Sequence, residues 1–550
     1  MSTTAYQHAC GSFRWDEALR GLDWTSTGSV NLGRTIVDRH TGSSRAALRW
    51  FAKAGQRQTV TFDELSRLSN RFANWLRGRG VGKGDRVAGY LPRIPETVVV
   101  MLGTWKAGAV YVPIFTGFGP DAIEFRLRHS GAKILCTHSE YRSRIPTDSL
   151  TIATLTVQGS GPLADNDIGF AAAVDTQSER FDVTEVRRDE PAVLLYTSGS
   201  TGPPKGVAIA SNFLAAIQPY MRYALDLGFH DAFWPTGDPG WGYGLVCYTG
   251  ALAMGVPVIV HETTPTAEYC LAHLCEEQVT NLATTPTLLR SIMALPEEIR
   301  RRHPVRVRKA SSCGEPLNAE VVTFFRRHWG ITVMDQYGSS EFGLPIGNCN
   351  ALPMEIRPGS MGLPLPGCTM AVVDDEGREA APNVVGHIGM RVDPEGYYSL
   401  GYWGDESRTR DLFRSGWMTI GDLARRDGDG YFWFEGRADD VIKSAGYRIG
   451  PFEVESAILC HPAVAEAAVI GKPDPLRGQI VKAFVVLKPG HASSAGLGGE
   501  IADVVKDRLG RHQYPREIEF VDTLPKTETG KIQRFVLRTA SSGSPSEETA

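Results

Sequence analysis

Between about Val30 and Leu363 short apolar runs alternate with segments of helical period, and this alternation limits what the chain can fold into more than any other feature. "DRVAGYL" (Asp85 to Leu91), "VYVPI", "AKILCT" (Ala132 to Thr137), "PVIV" (Pro257 to Val260) and "ITVMDQY" (Ile331 to Tyr337) are short and largely apolar, so they read as buried strands. "DELSRLSNRFANWLRGRG" (Asp63 to Gly80) and "PETVVVMLGTWKAGA" read as helices, the first with a glycine stop. A further helix is expected over "NFLAAIQPYMRYALDL", capped by Ser211. Strands that alternate with helices imply an α/β fold of mainly parallel sheets covered on both faces.

The texture changes after about Gly359. "CTMAVVDDEGREA" and "GYFWFEGRADDVIKSAGYRIG" are short strands around turn residues, which predicts a β-rich subdomain. From Pro451 a helix ("PFEVESAIL"), two strands ("VAEAAVIG", "QIVKAFVVLK"), a Gly/Ser-rich loop and a second helix make a small α+β unit. A chain of 550 residues exceeds what one core usually serves. The expected division is a large N-terminal domain at 1–435, a hinge at 436–440, a small mobile domain at 441–540 and a disordered tail at 541–550.

Composition excludes several classes. The net charge of −4 gives no reason to expect nucleic acid or an acidic membrane as a partner. The nine cysteines form no C-x-x-C pair, and no histidine cluster completes a zinc site, so reduced cysteines of a cytoplasmic protein are expected. The N-terminus has no basic start followed by an apolar run, so no secretory signal is expected. The uncharged stretch from Tyr243 to Val260 carries glycines and a proline, which suits a buried helix leading into a strand better than a membrane span.

"YTSGSTGPPKGV" (Tyr196 to Val207) holds three glycines, five hydroxyl side chains and one lysine between the strand-like runs "AVLLY" and "GVAIA". Glycines let backbone N–H groups turn inward, the hydroxyls add donors and Lys205 adds a charge, an inventory that suits a polyphosphate. It is not a Walker A loop: Lys205 is followed by Gly206, Pro204 stands five residues past Gly199, and the loop leads to a strand rather than a helix. A plain glycine hairpin is the bland alternative for such a loop taken alone.

The twelve residues as they stand resemble the signature of the AMP-forming adenylating enzymes, which comprise acyl- and aryl-CoA synthetases, luciferases and peptide-synthetase adenylation domains. Four further stretches resemble that family in the right order: "DQYGSSE" (Asp335 to Glu341), "WMTIGDLA", "GRADDVIKSAGYRIGPFEVE" and "PKTETGKIQR" (Pro525 to Arg534). The resemblance spans roughly residues 30–538. It implies ATP, Mg²⁺ and CoA as cofactors, and a reaction in two steps. A carboxylate attacks the α-phosphate of ATP, giving an acyl-adenylate and pyrophosphate; a thiol then attacks the acyl carbon and releases AMP.

The same resemblance implies the site. Thr197, Ser198, Gly199, Ser200, Thr201, Gly202 and Lys205 are expected to cradle the β- and γ-phosphates. Glu341 is expected to bind Mg²⁺, and Ser340 to keep a hydroxyl where many members have threonine. Asp335, Gln336 and Tyr337 belong to the nucleotide segment, with Tyr337 stacking on adenine and Gly314, Glu315 and Pro316 ("SSCGEPLN") flanking it. Asp422 is expected to accept the ribose hydroxyls. The family's usual Thr-Gly-Asp is Ile420-Gly421-Asp422 here, so the threonine hydroxyl is missing. Arg437 and Arg448 match phosphate-contacting arginines, Asp439 the hinge, and Lys531 the catalytic lysine.

Within the family the chain is similar to medium-chain acyl-CoA synthetases and acetyl-CoA synthetase, in the hinge segment and in "GDPGWGYGL" (Gly237 to Leu245). About twenty residues follow Lys531, too few for the carrier domain that a peptide-synthetase unit would need. Gly446 and Tyr447 are then expected beside the pantetheine tunnel and Gly117 ("GFGPDA") near the CoA nucleotide. Trp241 and Gly338 are expected in the acyl pocket. Acetate-specific relatives carry tryptophan where Gly338 stands, so a glycine is expected to leave room for a short-to-medium-chain or branched acid; acetate, propionate and aryl acids are the alternatives. A catalytically inactive nucleotide or acyl sensor is the non-enzyme alternative. Expected partners are the small-molecule acid, ATP and CoA, with no nucleic acid and no stable membrane insertion. A homodimer and lysine acylation and deacylation enzymes acting on Lys531 are compatible with the reading.

Overall fold

The apolar runs become the inner strands of two large sheets. A computed structural model of the chain describes residues 3–25, 28–146, 150, 152–159, 163–197, 204–444, 447–509, 513–526 and 532–541. Val110–Pro113, Arg86–Tyr90, Ile134–His138 and Ala153–Val157 pair in parallel, and the first, third and much of the others are buried. The continuous apolar pattern has this cause, because a parallel strand under helices has no solvent face. The helices Phe62–Gly78 and Pro95–Lys106 lie where the period predicts them. Thr61 and Glu64 close a capping box at the start of the first.

Seven elements carry the site. Strand β1 (Pro191–Thr197) and strand β2 (Lys205–Ala210) pair antiparallel at one end of this eight-stranded sheet. The glycine loop therefore joins two antiparallel strands, as the flanking apolar runs predict. Strand β3 (Val333–Ser339) belongs to a nine-stranded sheet that packs against the first. Strand β4 (Ser399–Tyr402) adds to β2 as the edge of the eight-stranded sheet. Strands β5 (Trp417–Arg426) and β6 (Phe432–Arg437) are neighbours in the five-stranded sheet of the β-rich subdomain. Helix α1 (Pro451–Leu459) opens the smaller C-terminal domain, whose own five-stranded sheet encloses a core of Ile442, Ile449, Val454, Ile458, Val469 and Val485 with others.

One expected element differs. "NFLAAIQPYMRYALDL" is not one capped helix: it is helical over Phe213–Ala216 and then widens to a π-turn over Tyr220–Ala224. Pro219 has no N–H to give the Ala215 carbonyl, and further on Leu225 N–H reaches the Tyr220 carbonyl five residues back. Ser211 does not cap it; its own amide donates to the Glu190 carbonyl. The uncharged stretch is a buried helix, Gly242–Ala253, leading to the strand Val258–His261. Among the described residues no helix is long and apolar enough to cross a membrane.

Candidate active site

The carboxyl end of β1, the start of β2, the end of β3 and the β5–β6 pair converge on one cavity of about 780 Å³, roofed by the C-terminal domain. Thr197 and Lys205 are direct cross-strand partners and both line it. Ser198, Gly199, Ser200, Thr201, Gly202, Gly446, Lys531 and the side chain of Arg448 lie outside the described residues.

Past the end of β3 the chain turns on Ser339, whose Oγ accepts the amides of Glu341 and Phe342 at 3.2 and 3.0 Å. The turn lifts Ser340 and Glu341 onto the cavity wall. Glu341 is 8% exposed, and its Oε1 accepts a hydrogen bond of 2.9 Å from the Tyr402 hydroxyl. The Tyr402 ring also faces Lys205, with Nζ 5.3 Å from the ring centroid. Lys205, Tyr402 and Glu341 thus form a connected cation, ring and carboxylate. A buried carboxylate beside a lysine is a donor set that fits magnesium with a bound phosphate, since magnesium takes one or two carboxylates and completes its shell with phosphate and water.

Across the cavity Asp422, on β5, is held at both oxygens. The Tyr337 hydroxyl donates to Oδ2 at 2.6 Å and Arg437, on β6, donates to Oδ1 at 2.9 Å. Asp422 and Arg437 are register partners in the sheet, so the ion pair follows from strand pairing. Burial and the neighbouring Asp422 charge push the Tyr337 phenol up, so it stays a donor. Its ring lies 6.4 Å from that of Phe434. Asp439, in the linking segment, sits 3.6 Å from Arg437.

Gly314 has φ +102°, a backbone state that suits glycine, and the Trp241 indole packs where its Cβ would point. Glu315 is gripped by Arg290 at 2.6 Å and Thr287 at 2.7 Å. Pro316 completes this wall. Asp335 and Gln336 line the cavity, with the polar atoms of their side chains engaged within the protein. Gln336 offers no amide donor to a ligand: its Nε2 donates to Ser311 Oγ at 3.1 Å and to the Ala224 and Asn348 carbonyls, and its Oε1 accepts from Tyr220. Asp335 likewise turns its carboxylate to the Leu317 and Gln336 amides, and burial pushes that carboxyl well above the usual range. The expectation that Gly338 leaves room needs correction. The glycine lines the cavity, but the space its missing side chain vacates is not open: a Cβ there would lie 2.3 Å from the Gly343 carbonyl oxygen and 2.5 Å from Leu344 Cδ2. Leu344 and backbone fill that space.

The C-terminal domain presents one face to the cavity. Lys526 and Ile532, the described residues on either side of the Lys531 segment, form a β-bridge and line the cavity with Gln533 and Arg534. Arg534 makes a bidentate pair with the buried Glu455 of α1, with both contacts at 2.8 Å, and lies 3.7 Å from Asp440. Tyr447 does not line the cavity and is 54% exposed. Gly117 also stands outside the lining, whereas its neighbours Phe118, Gly119 and Ala122 form the mouth. Tyr402, Phe434, Arg290, Arg534 and Glu455 were not expected from the sequence. Arg534 and Glu455 each end one of the family-like stretches and Phe434 lies in a strand-like run, but none was singled out; Tyr402 and Arg290 come to the site by sheet register and helix packing alone.

The domain interface carries a titratable pair. Glu435, on β6, faces Glu453 of α1, with Arg425 at 2.9 Å on one side and Gln513 donating to Glu453 at 2.9 Å on the other. Burial first, and then Glu453, push the Glu435 carboxyl up to about 8 against the pull of Arg425. A raised acid favours its protonated form in the docked state. The contact is therefore fully stabilising below about pH 4.5 and is lost as pH rises through about 8. Docking of the C-terminal domain should loosen progressively between about pH 5 and 8 and level off above that, read as a falling energy transfer between dyes on the two domains. Glu435→Gln should flatten that pH dependence; an unchanged slope in the variant would assign it elsewhere.

Known proteins share this arrangement. The AMP-binding enzyme family matches residues 37–403, and the AMP-binding enzyme C-terminal domain matches residues 453–531. The chain is 39% identical over 548 residues to an acetyl-coenzyme A synthetase of Bacillus subtilis (strain 168), covering 97% of this chain and 94% of that one. It is 34% identical to a 3-hydroxypropionyl-coenzyme A synthetase of Metallosphaera sedula, covering 96% and 86%. Among solved structures, Brucella canis acyl-CoA synthetase matches at 41% identity with a TM-score of 0.78, over 98% of each chain. The anthranilate CoA ligase AuaEII in complex with anthranoyl-AMP matches at 30% identity with a TM-score of 0.86, over 95% and 98%.

Proposed function

This chain belongs to the AMP-binding enzyme family, as an AMP-forming acyl-CoA ligase that uses ATP, Mg²⁺ and CoA, and from that premise we propose that it activates a short-to-medium-chain or branched carboxylic acid. The observation that carries the ligase reading is the convergence of Lys205, Glu341 and Asp422 on one cavity with Lys526, Ile532 and Arg534 of the C-terminal domain.

In the first half-reaction the acid's carboxylate oxygen bonds to the α-phosphorus and the bond to pyrophosphate breaks. No side chain needs to become covalently attached, so the protein's part is positioning and charge neutralisation. Thr197 and Lys205 hold the β- and γ-phosphates. Asp422 accepts the ribose hydroxyls, Tyr337 and the Gly314–Pro316 wall enclose adenine, and Arg437 orients Asp422. Glu341 holds the magnesium, which when bound neutralises phosphate charge. Lys531 stabilises the charge that gathers between carboxylate and α-phosphate. In the second half-reaction the CoA sulfur bonds to the acyl carbon and the bond to AMP breaks. The exposed Tyr447 face then replaces the Lys531 face by rotation about Asp439, because one cavity cannot hold both.

Pyrophosphate release and thioester formation, followed over a panel of straight-chain, branched and aryl acids, test the reading. Acetate as the preferred acid favours the nearest alternative, which the acetyl-coenzyme A synthetase relative supports. Benzoate or anthranilate favours the aryl alternative, which the anthranilate CoA ligase supports. Nucleotide binding without turnover on any acid leaves the sensor reading. Trp241, pressed on Gly314, and Leu344, filling the space beside Gly338, are the large apolar side chains proposed to bound the acyl group. Trp241→Ala should move the preference toward longer acids, by several-fold per added carbon, since a buried methylene is worth about 0.8 kcal/mol. The check is kcat/KM across a straight-chain series; an unchanged profile would place the acyl group away from Trp241.

A further inference from the structure

A residue that no motif marks stands between the two charges that handle the phosphates. Tyr402 ends β4, and its register on β2 sets it opposite Val207, two residues from Lys205. Trp403 N–H donates to the Gly206 carbonyl at 2.7 Å, and Tyr402 N–H donates to Thr409 Oγ1 at 2.9 Å. Its position is therefore set by backbone pairing to the strand that leaves the glycine loop. From there the hydroxyl donates to Glu341 Oε1 at 2.9 Å across 61 residues of sequence, and the ring faces Lys205. Glu341 Oε2 has no hydrogen-bond partner among the described residues.

We propose that Tyr402 is a positioning residue that sets the divalent-ion preference of this site, by occupying one oxygen of Glu341 so that the carboxylate offers a single oxygen to the metal. The proposal rests on the reading of Glu341 as a metal ligand. A carboxylate oxygen that already accepts a hydrogen bond is the weaker ligand, so Glu341 binds through one atom. Magnesium demands near-ideal octahedral geometry and suits a one-oxygen carboxylate. Calcium takes six to eight oxygens and gains from a carboxylate that binds through two. Groups that orient a ligand in this way are typically worth 10- to 100-fold in metal affinity. The ring adds a second, separable effect: it steadies Lys205 whether or not the metal is bound.

The test is calorimetric titration of the full-length protein with magnesium and with calcium, at saturating α,β-methylene-ATP, for the wild type, Tyr402→Phe, Tyr402→Ala and Glu341→Gln. Tyr402→Phe keeps the ring and removes the hydroxyl. It should lower the ratio of magnesium to calcium affinity by about tenfold, while binding of the analogue in metal-free buffer is unchanged. Tyr402→Ala should lower the ratio similarly and also weaken metal-free nucleotide binding, because Lys205 loses its ring. A Tyr402→Phe ratio equal to wild type, with Glu341→Gln losing metal, overturns the role of Tyr402 and leaves Glu341 a ligand. A Glu341→Gln protein that binds both metals as well as wild type overturns the underlying reading instead.

Discussion

Lys531→Ala will cut acyl-adenylate formation by a factor on the order of 10² or more while leaving the transfer of a supplied acyl-adenylate to CoA largely intact. The cation is proposed to act only while the carboxylate and the α-phosphate, both anionic, are driven together. Removing it therefore raises that barrier and no other. The C-terminal domain is docked with the flanks of this segment, Lys526 and Ile532, on the cavity wall and with Tyr447 exposed. Arg534, paired with Glu455 and near Asp440, ties that orientation to α1 and to the linking segment. Pyrophosphate exchange reports the first half-reaction, and thioester formation from synthetic acyl-adenylate reports the second. Equal losses in both assays would remove the division of labour between the two faces, and an intact first half-reaction would remove Lys531 from the site.

Asp422→Ala is expected to have the next largest effect, confined to the nucleotide. Two charge-assisted hydrogen bonds to the ribose at ~1.5–3 kcal/mol each amount to a loss on the order of 10² to 10⁴ in kcat/KM for ATP. Asp422 already accepts from Tyr337 and Arg437, so the carboxylate is oriented before the ribose arrives. Asp422→Asn keeps the shape and one neutral acceptor, and should fall between the wild type and the alanine variant. Initial rates at varied ATP and fixed acid measure both, with a thermal melt to show that loss of the Asp422–Arg437 pair has not loosened the sheet. KM for ATP unchanged in a variant that melts like the wild type would put the ribose elsewhere. The acid's own KM should move little, since Trp241, proposed to bound the acyl group, packs on Gly314 and not on Asp422.

Much of this was legible in the sequence because period and motif report local facts. Continuous apolar runs such as "AKILCT" mark strands with no solvent face, and they became inner parallel strands. The apolar flanks of the glycine loop marked a strand-to-strand connection, and the strands are antiparallel neighbours. The reading of "NFLAAIQPYMRYALDL" as one capped helix failed locally: Pro219 gives the ladder no N–H, and the chain widens to a π-turn over Tyr220–Ala224.

What only the tertiary structure decided is which distant side chains share a space. Residue types at Lys205, Glu341 and Asp422 announced phosphate, metal and ribose chemistry through a family resemblance. Nothing in the sequence announced that Tyr402 would join two of them, since that contact depends on β4 adding to β2 rather than to another edge. The same is true of absence. A glycine at 338 records that no side chain is there, not what fills the room, and close packing has filled it with Leu344 and the Gly343 carbonyl. Sequence period states which face of an element is buried; the partner on the other side of that face is chosen by sheet order and domain docking, which are long-range and leave no periodic trace.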